Sequence, residues 1–287
     1  MGAIMTKVVA LVLLGLSVSA GPYAYAADTA PADLVVVQQG TLPIVLTAPH
    51  GGRESIAGVD PRQNRTNVAA YRAWGGFQAG TDLNSDLLAQ GVAKEIAQLT
   101  GRQPYVVVAK FSRRYIDANR PADLGLDSAE ARPYYDYYHA AIRRFVDEIR
   151  ARGPALLIDM HGQAKDPEVI MRGTINGRSV ESLVRRAGAT AVTGPAGIYG
   201  QLEINGFKIF PANDVPLGGR NEDAGFNGGY TVAIYGSHNR DGIDAVQLEF
   251  GSRYRSTGAL ETSIRNAAKA IVAFHDAYLK QGTGQSR

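Results

Sequence analysis

The chain has 287 residues, a formal net charge of +3 at neutral pH and no cysteine. Without cysteine it can form no disulfide bond, so a hydrophobic core must hold the folded chain together. Acidic and basic residues are mixed along the chain without a basic block, which argues against nucleic acid as a partner.

The N-terminal segment has the pattern of a secretory signal peptide. Lys7 precedes an apolar run over residues 8–16, and residues 24–26 read Ala-Tyr-Ala, a small-residue cleavage pattern. The run is shorter than the ~20 residues that a membrane-spanning helix needs. We therefore expect residues 1–26 to be a signal peptide and residues 27–287 to be one exported domain, periplasmic or secreted, without a membrane span.

Strand and helix patterns alternate along this domain. Strands are predicted at residues 33–37, 42–47, 105–111, 155–160, 231–235 and 245–250. Helices are predicted at residues 81–100, 134–152, 178–188 and 260–279, the first with an apolar face of Leu83, Leu87, Val92, Ile96 and Leu99. The glycine-rich residues 194–229 are expected to be loops that wall a pocket. This alternation predicts a single α/β domain whose mixed, mostly parallel sheet is flanked by helices.

Two of the predicted buried strands end in a histidine followed by glycine. IVLTAPHGG reaches His50, and ALLIDMHG reaches His161. Because the carboxyl ends of parallel strands line the ligand crevice of an α/β sheet, these imidazoles can converge there. A catalytic zinc ion takes three protein ligands and leaves one position for water. The pattern therefore predicts a site for one Zn²⁺ ion that needs a third ligand.

Two acidic residues compete for the third position. Asp82 is expected in the first turn of a predicted helix, where the helix dipole alone also favours an acid. Glu54, four residues after His50, is the alternative. We prefer Asp82.

Two further acids accompany the strand ends. Asp159 lies two residues before His161, so both side chains share one face of the strand, and Asp159 can accept the second N–H of the histidine. Glu249 interrupts the apolar strand DAVQLEF. A buried glutamate is costly unless it is paired or used, so Glu249 is a candidate general base, with an exposed position on an edge strand as the alternative.

The segment FSRRYIDANR is rich in arginine and follows another predicted buried strand. Guanidinium groups bind carboxylates through two oxygens, which makes Arg113 and Arg120 candidate substrate contacts. An ordinary solvated loop has a similar charge, and Asp117 with Arg120 can instead form a structural pair.

The order of these motifs resembles the N-formylglutamate amidohydrolase family. The resemblance runs from about residue 42 to residue 255 and is carried by PHGG, DLNSDLLA, SRRYIDANR, LLIDMHG, RGTINGRSV, GGYTV and VQLEF. It implies a fold similar to that of zinc-dependent exopeptidases. Among these enzymes, the zinc carboxypeptidases have an acidic ligand three residues after the first histidine. Here that position holds Arg53.

The resemblance also implies a role for each candidate residue. His50, Asp82 and His161 would hold the zinc ion, and Glu249 would be the catalytic glutamate. Arg113 would polarise the scissile carbonyl, and Asn119 and Arg120 would bind a substrate carboxylate.

Three functions are consistent with these residues. The first is an exported zinc-dependent hydrolase that cleaves an amide bond next to a free carboxylate, in an N-acyl amino acid or at a peptide end. The second is a periplasmic protein that binds a carboxylate or peptide without catalysis. The third uses the same chemistry on cell-wall peptides.

Overall fold

The computed structural model describes residues 30–63 and 68–280, so the predicted signal peptide lies outside the described residues. The strands are β1 (Val35–Gln38), β2 (Ile44–Ala48), β3 (Tyr105–Ala109), β4 (Leu156–Gln163), β5 (Val169–Gly173), β6 (Lys208–Phe210) and β7 (Asp244–Gly251). The helices are α1 (Ala30–Asp33), α2 (Val68–Arg72), α3 (Ser85–Thr100), α4 (Ala122–Gly125), α5 (Arg132–Arg150), α6 (Glu181–Ala187), α7 (Thr190–Thr193), α8 (Ile198–Ile204), α9 (Tyr230–Tyr235) and α10 (Leu260–Tyr278). Short 3₁₀ helices cover Arg178–Val180 and Ser252–Arg255.

The described strands form one mixed sheet in the order β1-β3-β2-β4-β7-β5-β6. Strands β3, β2, β4 and β7 run parallel to one another, while β1 and β5 are antiparallel to their neighbours β3 and β7. Helices cover both faces, which confirms the predicted single α/β domain with a mixed sheet. No helix in the described part of the chain is long and apolar enough to cross a membrane.

The central strands are buried on both faces because each face of the sheet carries its own apolar cluster. One cluster packs the sheet against α3, α8 and α10, and the other packs it against α5 and α9. Continuous runs of valine, isoleucine and leucine, such as Ile44–Ala48 and Tyr105–Ala109, are typical of parallel strands in this position.

The prediction of a strand at residues 231–235 is wrong. This segment forms α9, whose Val232 and Tyr235 are buried. Its sequence, TVAIY, is rich in the β-branched and aromatic residues that favour strands. Packing against the sheet overrides that weak local preference.

Two other segments differ from the prediction. Helix α3 begins at Ser85, and its buried face is Ser85, Leu88, Ala89, Val92, Ala93 and Ile96, while the predicted face residues Leu83, Leu87 and Leu99 are exposed. The small side chains of Ala89 and Ala93 pack against the sheet, so the positions of the large leucines do not mark the buried face of this helix. The predicted loop region 194–229 also contains α8 and β6.

Candidate active site

The carboxyl ends of the central parallel strands bring the predicted site residues together. His161 and Glu249 are register partners on β4 and β7, and His50 follows β2 by two residues. All three side chains are buried, with exposed fractions of 1% for His50, 2% for His161 and 6% for Glu249.

Two glycines allow the turn after β2 to lie against its neighbours. A Cβ atom at Gly51 would lie 2.3 Å from the backbone nitrogen of Asp86 in α3. A Cβ at Gly52 would lie 2.3 Å from the carbonyl of Lys110. Only glycine permits these approaches. The turn therefore fixes His50 against both α3 and the chain that follows β3.

His50, Asp82 and His161 form a group of candidate metal ligands. One ligand atom from each residue lies within 4.8 Å of the others. The Oδ2 atom of Asp82 lies 3.5 Å from Nδ1 of His50 and 3.1 Å from Nδ1 of His161. Glu54 lies outside this group because it is exposed and forms a β-bridge with Phe111.

Asp82 precedes α3 and does not lie in its first turn, which begins at Ser85. Its backbone N–H donates to the carbonyl of His50 at 3.0 Å, and its Oδ2 accepts the backbone N–H of Gly162 at 3.1 Å. Asp82 is therefore held between the two histidine-bearing turns, and the prediction that it lies in the first turn of the helix is wrong.

Each histidine is oriented by a buried carboxylate on the far side of its ring. Nε2 of His50 lies 2.7 Å from Oδ1 of Asp117, and Nε2 of His161 lies 2.8 Å from Oδ2 of Asp159. An N–H at Nε2 donates to each carboxylate and leaves Nδ1 directed towards Asp82. Such partners fix the tautomer that can bind a metal.

The Nδ1 atoms of His50 and His161 and the carboxylate of Asp82 face one another in an arrangement that suits a bound cation. When each Nε2 carries the proton, the Nδ1 atoms and the Asp82 carboxylate are all acceptors, and they repel one another unless a cation lies between them. Nδ1 of His50 is buried and makes no hydrogen bond within the described residues. Burial by itself would raise the pKa of Asp82, but the neighbouring His161 and His50 side chains hold that pKa well below its usual value. Two imidazoles and a carboxylate match the ligand set of catalytic zinc.

Glu249 lies beside this group. Its Oε1 is 3.9 Å from Nδ1 of His161 and accepts a hydrogen bond of 2.5 Å from the side-chain amide of Gln247. Burial raises the pKa of Glu249 to about 7; the positive charges of His161 and Arg113 oppose this rise, and the negative charge of Asp82 adds to it. A carboxyl group with this pKa can both accept and donate a proton near neutral pH.

The arginine-rich segment after β3 lies against the same group. Nε of Arg113 donates to Oδ2 of Asp117 at 2.9 Å, so the side chain of Asp117 forms its ion pair with Arg113, while Arg120 donates its backbone N–H to the carbonyl of Asp117 at 3.2 Å. Nη1 of Arg120 donates to the carbonyl of Asn119, and its buried Nε has no hydrogen-bond partner in the described chain.

Asn119 lies between His161 and the wall of the cavity. Its Oδ1 accepts the backbone N–H of Thr231 at 2.8 Å, and its Nδ2 lies 3.3 Å from Nε2 of His161. A Cβ at Gly229 would lie 2.0 Å from the same Nδ2 atom, so the wall at Gly229 must be glycine for Asn119 to hold this position.

A cavity of 640 Å³ opens onto these residues. Its walls include His50, Asp82, His161, Glu249, Arg113, Asn119 and Arg120, together with Trp74, Arg178, Phe226 and His238. The predicted wall region 194–229 contributes Ala224 to Gly229. The cavity is large enough for a small molecule or a peptide end.

Several supporting residues were not identified from the sequence. The buried Arg62 donates to the carbonyl of Arg113, and the hydroxyl of Thr47 donates to Oδ1 of Asp159 at 2.5 Å. Arg255 donates to the carbonyls of Phe250, Leu83 and Gln163, and thereby joins the ends of β7 and β4 to the chain before α3. Apart from the bond between Arg255 and Phe250, these contacts join positions at least 51 residues apart in sequence, so no local pattern indicates them.

Comparison with known proteins identifies a similar fold. An N-formylglutamate amidohydrolase from Ralstonia eutropha JMP134 is 16% identical, with a TM-score of 0.57, over 86% of this chain and 98% of that chain. A gene product of Agrobacterium tumefaciens is also 16% identical, with a TM-score of 0.47, over 86% of this chain and 97% of that chain. A bacteriophage poly-gamma-glutamate hydrolase is 12% identical, with a TM-score of 0.38, over 85% of this chain and 89% of that chain.

The first of these similarities confirms, at the level of the fold, the resemblance drawn from the sequence motifs. No protein-family model matches the sequence, and the comparison with curated proteins gives no match.

Proposed function

We propose that the chain is an exported zinc-dependent hydrolase that cleaves an amide bond next to a free carboxylate. One observation carries this proposal: a buried glutamate lies beside two histidines and an aspartate at the wall of a cavity that also contains arginines. The fold that the chain shares with an N-formylglutamate amidohydrolase is consistent with amide hydrolysis. Export rests on the predicted signal peptide.

His50, Asp82 and His161 would hold the zinc ion. When bound, the ion would act as a Lewis acid on the carbonyl oxygen and lower the pKa of a water molecule. The two histidines are already oriented for this role by Asp117 and Asp159. Little conformational entropy is lost when such a preformed site binds its ligand.

Glu249 supplies the proton transfers in this proposal. Its buried carboxylate accepts a proton from the attacking water and then donates it to the leaving amine nitrogen. A neutral carboxyl at lower pH cannot accept the proton, so the base function is lost under acidic conditions.

Arg113 stabilises the negative charge that develops on the carbonyl oxygen. The salt bridge between its Nε and Asp117 holds the guanidinium group at the cavity wall, with its exposed fraction at 9%. One well-placed donor to an oxyanion contributes about 3 kcal/mol to catalysis.

Arg120 and Asn119 bind the free carboxylate of the substrate. The Nε atom of Arg120 is buried with no hydrogen-bond partner among the described residues, and the side chain lines the cavity. A carboxylate would satisfy this donor and form charge-assisted hydrogen bonds. The substrate class is therefore N-acyl amino acids or peptide ends, cell-wall peptides included.

The test compares the unaltered chain with Glu249→Gln and with Glu54→Gln, the same change at an exposed carboxylate outside the site. Each is incubated with N-formyl and N-acetyl amino acids, dipeptides and muropeptides, and released amines are measured by mass spectrometry. We expect hydrolysis that requires Zn²⁺, falls at least ~100-fold in Glu249→Gln and persists in Glu54→Gln. The proposal fails if Glu249→Gln is fully active. Ligand binding that survives a chelator, without hydrolysis of any substrate, would favour the non-catalytic binding protein.

A further inference from the structure

We infer that Thr47 is a positioning residue for the metal centre, acting on His161 through Asp159. The inference rests on the proposed function because it assigns Thr47 a role at the proposed zinc site. Thr47 does not touch the cavity and is fully buried within β2.

The sheet register brings Thr47 and Asp159 together. They are register partners on the parallel strands β2 and β4, so their side chains leave the same face of the sheet side by side. The Thr47 hydroxyl donates to Oδ1 of Asp159 at 2.5 Å, and Oδ2 of the same carboxylate lies 2.8 Å from Nε2 of His161. Hydroxyl, carboxylate and imidazole thus form a continuous chain that ends at a proposed ligand.

Asp159 has few other partners that can hold it. Within the described residues its one ion pair is with His161, and its exposed fraction is 0%. A zinc-bound His161 is neutral, so the Thr47 hydroxyl then becomes the donor that satisfies the second carboxylate oxygen. Without it, a buried oxygen lacks a partner, which favours rotation of the Asp159 carboxylate. Rotation weakens acceptance of the Nε2 proton and releases the tautomer that exposes Nδ1.

A purely structural role predicts a different result. Valine has nearly the shape of threonine and favours a buried strand, so packing alone would leave Thr47→Val harmless. If Thr47 acts as a donor, loss of its hydroxyl must impair the site unless another hydroxyl replaces it, while Thr47→Ser preserves the site.

A second hydroxyl, that of Tyr138, lies near Thr47 and Asp159. The Tyr138 hydroxyl is buried and makes no hydrogen bond in the described part of the chain. Burial, and after it the Asp159 charge, raises the pKa of Tyr138, so the hydroxyl stays protonated and can donate. A Thr47→Val/Tyr138→Phe double variant removes both donors.

The experiment measures Zn²⁺ affinity of the full chain by competition with a chromophoric chelator. Unaltered chain, Thr47→Val, Thr47→Ser and the double variant are compared, with Thr100→Val as matched control. Thr100 loses a hydroxyl bonded to the carbonyl of Ile96 at the end of α3, about 22 Å along the helix from Ser85. Thermal unfolding of each metal-free variant shows that it is folded.

We expect the Zn²⁺ dissociation constant to rise about tenfold in Thr47→Val or in the double variant. Thr47→Ser and Thr100→Val should bind like the unaltered chain, and the visible spectrum of bound Co²⁺ should change in the weakened variants alone. Equal affinity in the unaltered chain and the double variant overturns the Thr47 inference and leaves the proposed function intact. No Zn²⁺ binding by the unaltered chain overturns both.

Discussion

The two histidines of the candidate site make the same kinds of contact, but the aspartate behind each ring is stabilised differently. Each presents Nδ1 to Asp82 and directs Nε2 to a buried aspartate. The His50 arm, defined as His50 and Asp117, is stabilised by cations. The His161 arm, defined as His161 and Asp159, is stabilised by a neutral hydroxyl.

Asp117 in the His50 arm is surrounded by positive charge. It accepts Nε–H of Arg113 at 2.9 Å and the backbone N–H of Asn119 at 3.1 Å, and it lies 3.8 Å from Nη2 of Arg62. Burial opposes its ionisation, yet the Arg113 and His50 charges hold the pKa of Asp117 well below its usual value. The His50 arm therefore also fixes Arg113, whereas the His161 arm serves His161 alone.

The largest expected effect on stability is that of Asp117→Asn. The change leaves the buried guanidinium groups of Arg113 and Arg62 without a counter-charge, so we expect the free energy of unfolding to fall by ~3–5 kcal/mol. Urea unfolding at neutral pH measures this. A loss no larger than that of Asp159→Asn would contradict the difference between the arms.

Asp159→Asn tests the His161 arm. The amide oxygen can still accept from Thr47, but the amide nitrogen then faces Nε2 of His161 and disfavours its proton. We expect Zn²⁺ affinity to fall by about 10–100-fold with a smaller loss of stability than in Asp117→Asn. Chelator competition and urea unfolding of the same samples separate the two effects, and an unchanged Zn²⁺ affinity would exclude the role of Asp159.

Gly229→Ala perturbs Asn119. The backbone N–H of Asn119 donates to Asp117 in the His50 arm, and its side-chain Nδ2 lies 3.3 Å from Nε2 of His161. The new Cβ would lie 2.0 Å from Nδ2 of Asn119 and must displace it. We expect KM for the carboxylate substrate to rise about tenfold, with a smaller change in kcat, because a hydrogen bond to a charged group is lost. Gly258→Ala is the control because nothing lies within 4 Å of a Cβ there. Equal KM values in the two variants would contradict the role of Asn119.

A pH dependence is expected next to the His50 arm. His139 donates from Nε2 to the carbonyl of Ala118, in the turn that carries Asp117 and Asn119, and burial lowers the pKa of His139 to about 4. A histidine in the unfolded chain has a pKa of about 6.5, so the unfolded chain binds more protons than the folded chain between pH 4 and pH 6.5. The free energy of unfolding is therefore highest above about pH 6.5 and declines as the pH falls towards 4. Unfolding temperatures measured between pH 7 and pH 4.5 should fall less steeply in His139→Gln than in the unaltered chain. An equal slope would contradict the assignment.

The strand ends could be predicted from the sequence because each strand is an apolar run that stops at a polar residue. His50, His161 and Glu249 are all found where that pattern places them. Asp159 could also be predicted as the partner of His161, since the two residues are neighbours on one strand face.

The contacts of Asp117 with His50 and of Thr47 with Asp159 could not be predicted because the partners lie 67 and 112 residues apart in sequence. The sheet register that joins Thr47 to Asp159 is a property of the folded chain. Helix α9 (Tyr230–Tyr235) could not be predicted for a similar reason: packing over the sheet, and not local preference, determines its conformation.

The measurement that tests the central claim most directly is the number of Zn²⁺ ions bound per chain at equilibrium dialysis. It is made on the unaltered protein, on Asp82→Asn and on Glu54→Gln. We predict one ion per chain in the unaltered protein and in Glu54→Gln, and a loss of binding in Asp82→Asn. An unaltered protein without zinc, or an Asp82→Asn variant that retains it, would contradict the account.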